Sequence, residues 1–172
     1  MATHVVSYQR DTSYVTNISK GATCYAVLGT MTVGGTTFRT FERFSMMADR
    51  PENDFPHLAP GDYTTAVMYW HGKLGRVINP YNGTGPSKRY NNVLVHAGSR
   101  PSHFEGCIGP GTLEGAGVTA KMTRGDQAMA FIWKSCGGNA ADKKGWSIRA
   151  LKVLLRVENA FPGKAGLTLY TG

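Results

Sequence analysis

The sequence predicts a mostly β domain of the α+β class: short antiparallel strands in a sandwich- or barrel-like arrangement, with one helix late in the chain. Three observations predict it. Runs rich in Val, Thr, Tyr and Phe recur at short intervals. Glycine is abundant, 22 of 172 residues, which favours many tight turns over long helices. Clear helical spacing of apolar residues occurs only near the C-terminal end. The length suits one domain, 1–172, with roughly two-thirds of the chain's surface buried on folding.

The elements follow in order. "HVVSYQR" alternates apolar and polar residues and reads as a first strand. "ATCYAVLGTMTV" and "TTFRTFERF" are two strands joined by Gly34-Gly35, a hairpin signal. "RPENDFPHLAPGD" is proline-rich and polar, a loop. "YTTAVMYW", "RVINP" and "VLVH" read as further strands, separated by "HGKLG" and "YNGTGPSKRYNN". "IGPGTLEGAGVTAKM" has no clear period, and "QAMAFIWKSC" suits helix or strand. The late helix is placed on "KKGWSIRALKVLLRVENA". There Ile148, Leu151 and Leu155 share a face, Ser147 caps the start and Pro162-Gly163 marks the end. "AGLTLYT" is a last strand.

The formal charge is +8, which suits an anionic polymer as partner. The cations are scattered, and no zinc-finger spacing or nucleic-acid motif is found, so nucleic acid is not the expected partner. No run of about 18 apolar residues is present, so no membrane span is expected. The start, "MATHVVSYQRDT", lacks the basic and apolar regions of a classical signal peptide. The expectation is a protein cytoplasmic as made, with delivery to a periplasm by a non-Sec route. Three cysteines, Cys24, Cys107 and Cys136, leave at least one unpaired. They are three reduced thiols, or a Cys24–Cys136 disulfide with Cys107 free.

"NNVLVHAGSRPSHFEGCIGPG" carries the candidate chemistry. His96 ends an apolar run, and Cys107 follows eleven residues later behind Gly106. A strand end mounts a side chain rigidly, with loops beyond it. An imidazole within reach can take a thiol's proton and make the stronger nucleophile. The carbonyl of Ala97 or Gly98 could orient the ring. The amides of Gly106 and Cys107 could form an oxyanion hole, with Gly106 leaving room for a substrate carbonyl. Gly98 and Ser99 lie on the same loop and are expected to face substrate. His103 competes with His96 as the base. A zinc site on Cys107, His96 and His103 would lack the closely paired ligands of structural zinc, so no metal or cofactor is expected. Glu42 faces the cleft or makes a structural ion pair.

"VHAG…SHFEGCI" resembles the signature of the L,D-transpeptidases, the cysteine enzymes of peptidoglycan cross-linking. The wider chain also resembles a bacterial and phage domain family of unknown function. The shared features are Arg10, "LGTM", Thr40-Phe41-Glu42, "APGDY", His96-Ala97-Gly98 and Gly106-Cys107-Ile108, in that order. The chain departs from the transpeptidase pattern at Phe104-Glu105, at Ala97, and in having no arginine after Cys107. The resemblance implies Cys107 as nucleophile, His96 as base and oxyanion donors around Gly106 and Cys107, with Ser102 and His103 at the Ser-His pair. The expected function is a cysteine-dependent enzyme on peptidoglycan stem peptides, working through a thioester by hydrolysis or exchange. It would act as an antibacterial effector with an immunity protein, or as a phage-associated protein. The alternative is a non-catalytic binding or assembly module on the same scaffold.

Overall fold

The computed structural model describes residues 4–44, 56–104, 106–139 and 150–172. The chain begins with a long antiparallel meander. β1 (Val5–Ser19), β2 (Ala22–Val33) and β3 (Thr36–Phe44) pair in sequence order. The β2–β3 turn is Gly34-Gly35 with both φ angles positive, the primed turn that matches the twist of its strands. β1 carries a register shift between Arg10 and Tyr14, where the strand bends.

Short elements follow: β4 (Gly61–Tyr63), β5 (Val67–His71), β6 (Gly75–Asn79), a one-turn α1 (Lys88–Asn91), β7 (Ile108–Glu114), β8 (Lys121–Thr123), α2 (Gly125–Ser135), β9 (Leu151–Lys152), β10 (Leu154–Val157) and β11 (Thr168–Leu169). The main sheet runs β4-β10-β1-β2-β3-β7-β8, with β11 also paired to β1. A smaller sheet runs β6-β5-β9. Val95 joins the two, bridging Ile78 antiparallel and Ile108 parallel. The sheets do not close into a barrel. The domain is mostly β, of the α+β class.

Alternation along the strands divides the core. Val6, Tyr8, Met31, Val33, Val95 and Ile108 share one cluster with Met129, Ile132 and Trp133 of α2. Val15, Leu28, Phe41, Leu94 and Cys107 form another with Phe104 and Met122. Neighbours in sequence, Leu94/Val95 and Cys107/Ile108, thus go to opposite sides.

The late helix is corrected. Residues 151–157 form β9 and β10, and the helix of more than one turn among the described residues is α2. The reason is a competing period. Val153, Leu155 and Val157 are buried at every second position, while Lys152, Leu154 and Arg156 are more exposed. β10 then adds parallel to β1, from Val5↔Leu154 to Tyr8↔Val157. The spacing of Leu151 and Leu155 fits both periods, and β-branched Val153 and Val157 favour the strand. Ser147, Ile148 and Trp146 lie outside the described residues, as does the first part of the proline-rich loop.

Candidate functional site

His96 and Cys107 sit on adjoining segments. Ile108 N donates to Leu94 O at 3.0 Å and His96 N to Ile108 O at 2.9 Å. This parallel register places His96 beside Gly109 and Cys107 beside Leu94, all on one face of the sheet. The thiol and imidazole therefore share a face, two residues apart in register.

Each group has its own local partner. His96 Nδ1 lies 2.8 Å from Ala97 O. A carbonyl only accepts, so Nδ1 carries the proton and Nε2 keeps its lone pair. Of the two carbonyls expected to orient the ring, Ala97 or Gly98, the contact is with Ala97. Burial, first, and then His71 and His103 hold the imidazole below its usual pKa, against the pull of the Ala97 carbonyl. The ring is thus neutral at pH 7. Its folded-state value lies below its unfolded one, so its contribution to stability is complete above about 6.5 and is lost as pH falls through the lowered value. His96→Asn should flatten this part of a titration of the urea midpoint against pH. An unchanged slope would show that the ring is not held neutral by the fold.

Cys107 is 6% exposed and packs in the cluster of Val15, Leu28, Phe41 and Leu94. Its Sγ donates to Asn92 O at 3.4 Å. Gly106 before it holds φ +82°, a conformation that other residues rarely adopt. None of the three cysteines, Cys24, Cys107 and Cys136, is in a disulfide. Among the described residues no group of three or more His, Cys, Asp or Glu is arranged to hold a metal ion.

The loop between the two residues is anchored twice. Asn17 of β1 donates through Nδ2 to Ser102 Oγ at 3.0 Å and accepts from Ser102 N at 3.0 Å. Ser102 therefore serves the loop's attachment. Phe104, one of the two residues that separate this loop from the transpeptidase pattern, is fully buried. Its ring lies 4.9 Å from His96 and 6.5 Å from Phe41, centroid to centroid.

Ala97, Gly98, Ser99 and His103 line an open cleft of about 530 Å³, with Lys73, Leu74 and residues 122–126. His103 Nδ1 accepts from Ser99 N at 3.1 Å. In the neutral ring the proton is then on Nε2, so His103 presents a donor where His96 presents an acceptor. The two histidines are thereby distinguished: His96 is the one that presents a ring lone pair.

Glu42 is placed elsewhere. It pairs in register with Ile108, not Cys107, and so lies on the opposite face. Arg10 Nε reaches its Oε1 at 2.6 Å and Nη2 its Oε2 at 3.0 Å, and Tyr8 Oη donates to Oε1 at 2.8 Å. His57 Nδ1 lies 3.4 Å from Oε2, at ion-pair distance but off the hydrogen-bond line. His57 also stacks on Phe161, 4.1 Å between centroids, and lines a second cleft of about 620 Å³ with Leu58, Tyr90 and Phe161. Sequence reasoning assigned no cleft to this side. The available signal was charge at inward strand positions: Arg10 continues the buried alternation of Val6 and Tyr8, and Glu42 continues that of Thr40 and Phe44.

Comparison of the chain with protein-family models, curated proteins and solved structures finds no match in any of the three.

Proposed function

We propose that the chain is a cysteine-dependent enzyme acting on peptidoglycan stem peptides. One observation carries this reading. His96 is a neutral imidazole whose Nδ1–H is fixed on the Ala97 carbonyl, on the same sheet face as the Cys107 thiol. Its Nε2 lone pair is the proton acceptor that a thiol nucleophile requires. In the proposed reaction Sγ turns from the Asn92 carbonyl and gives its proton to His96. The thiolate then attacks a peptide carbonyl, with the Gly106 and Cys107 amides as the expected oxyanion donors. Collapse expels the amine, which takes the proton from His96, and leaves a thioester. Water or a second amine resolves the thioester, giving hydrolysis or exchange. A +8 chain suits an anionic wall. Delivery outside the Sec route, and an immunity protein if the activity is toxic, belong to the same proposal.

A second reading has its own observation. The thiol is packed among apolar side chains and bonded to a backbone carbonyl, as a structural cysteine would be. The domain would then be a non-catalytic binding or assembly module on the same scaffold. Mass spectrometry of purified peptidoglycan after incubation with wild type and Cys107→Ala separates the two. The enzyme reading expects new muropeptides with wild type only. Identical muropeptides from both proteins would leave the binding module. Iodoacetamide labelling gives a second measure. Burial pushes Cys136 up to about 11, so it is a slow internal reference, and an activated Cys107 should label roughly tenfold faster or more. Equal rates would favour the structural thiol.

A further inference from the structure

We infer that the cleft beside His96 contains a carboxylate subsite formed by Lys73, Arg124 and the His103 ring, which holds the free C-terminal carboxylate of a stem peptide. The inference rests on the stem-peptide reading and extends it to substrate choice.

Three donors converge on this cleft from three parts of the chain: Lys73 from the β5–β6 turn, His103 from the loop before Cys107, and Arg124 from the β8–α2 junction. Elsewhere carboxylates engage their cations: Arg10 with Glu42, Arg39 with Asp11, Lys121 with Glu114, Arg156 with Asp62. Among the described residues neither Lys73 nor Arg124 has an ion pair, although Asp126 lines the same cleft. His103 adds an Nε2–H donor, because its Nδ1 accepts from the Ser99 amide. Two unpaired cations and one fixed donor against a single acid make a receptor for a singly charged anion.

The walls are tied in place. The amides of Lys73 and Leu74 donate to His71 Nδ1 at 3.1 and 3.2 Å. Met122 N donates to Ser99 O at 2.8 Å. Gly125 packs on Ala97, so closely that a Cβ on it would lie 3.2 Å from the alanine methyl. Arg124 and the turn after His96 therefore keep a fixed spacing. A peptide held at its terminal carboxylate would lie along Ala97–Ser99, the segment that follows His96; His96 and Cys107 themselves do not line the cleft.

The test uses the full chain as Cys107→Ala, so that binding is read without turnover. A stem tetrapeptide with a free C-terminal carboxylate and the same peptide as its C-terminal amide are titrated by calorimetry. The acid should bind roughly tenfold tighter than the amide. Arg124→Asn keeps a residue that tolerates the left-handed backbone at φ 56°, and Lys73→Met keeps the stem of an exposed side chain. Each should weaken the acid roughly fivefold or more and leave the amide unchanged. Equal affinity for acid and amide, parental affinity in both variants, or no binding of either peptide would overturn the subsite. Wild-type turnover of peptidoglycan is scored separately, so loss of the subsite with turnover intact is distinct from failure of the enzyme reading.

Discussion

Arg10→Met should lower the free energy of unfolding by about 3–5 kcal/mol at neutral pH, the usual cost of removing one partner from a buried ion pair. The side chains of Arg10 and Glu42 are both 0% exposed. The guanidinium makes two bonds to the carboxylate, and further ones to Leu58 O at 2.9 Å and Asn159 O at 2.6 Å. It therefore attaches the proline-rich loop at Leu58, and the segment after β10, to the centre of β1. Loss of the guanidinium removes these attachments and leaves a carboxylate in the interior with, among the described residues, Tyr8 and His57 beside it.

The pH dependence identifies the cause. Burial alone would raise the Glu42 pKa, but Arg10, assisted by His57, holds it down to about 2 from an ordinary 4.5. Its stabilisation is present above about 4.5 and is lost as pH falls toward about 2. Without Arg10 the burial effect remains and the sign reverses: Glu42 folds more readily protonated, and stability declines as pH rises. Urea unfolding at pH 7 and pH 4.5 should show a larger gap between wild type and Arg10→Met at pH 7. Arg10→Met/Glu42→Leu should recover part of the loss, because the stranded charge is gone. A single variant within about 1 kcal/mol of wild type at both pH values would mean that water reaches Glu42 and the pair is not a structural anchor.

What the sequence made legible follows from the physics of each segment. The first three strands were readable because alternation persists over many residues and the turns carry their own chemistry, as at Gly34-Gly35. The late segment was not. Leu151 and Leu155 are four apart, a separation that period 2 and period 3.6 both satisfy. The decision came from a distant partner, the open edge of β1, which no local window contains. "QAMAFIWKSC" was ambiguous for a similar reason. Its buried residues Ala128, Met129, Ile132 and Trp133 face the sheet at helical spacing, but Phe131 is also apolar and is exposed, which blurs the period.

At the candidate site, the residues were legible and their partners were not. The notion that a backbone carbonyl next to His96 would orient its ring agrees with the Nδ1–Ala97 contact. Spacing alone did not choose between His96 and His103. The opposite tautomers that favour His96 in the proposed reaction depend on which backbone group each Nδ1 meets. Glu42 is a case where a strand's parity would have been informative. Adjacent Phe41 packs on the Cys107 side, so Glu42 must face away from it. The resemblance sets Ser102 in the Ser-His pair; its hydroxyl and amide both go to Asn17 of β1, a partner 85 residues away that no local reading contains.

Gly109→Ala should cost about 1–3 kcal/mol or more through overpacking, and Phe104 is the cause. Gly109 is not among the residues with positive φ, so its backbone tolerates alanine and the cost is steric. A Cβ there would overlap the Phe104 ring at Cζ and Cε1, and one on Gly98 would lie 2.6 Å from the same Cζ. The ring occupies the space that two glycines leave, between Phe41 and His96. Phe104→Ala should cost about 3–5 kcal/mol as a cavity. The double variant Gly109→Ala/Phe104→Ala should be less damaged than the sum of the two, because the methyl then enters vacated space; a coupling of about 1 kcal/mol or more is expected. Strict additivity would show that the ring does not wedge against Gly109. The same cycle reports on the site. With Phe104 absent, the 97–106 loop keeps its attachment at Asn17 but loses the ring that abuts His96. The pH at which the imidazole titrates, followed by NMR, should then rise toward its ordinary value as water reaches it. If the titration stays where it is in the wild type, Phe104 is not the group that keeps water from His96.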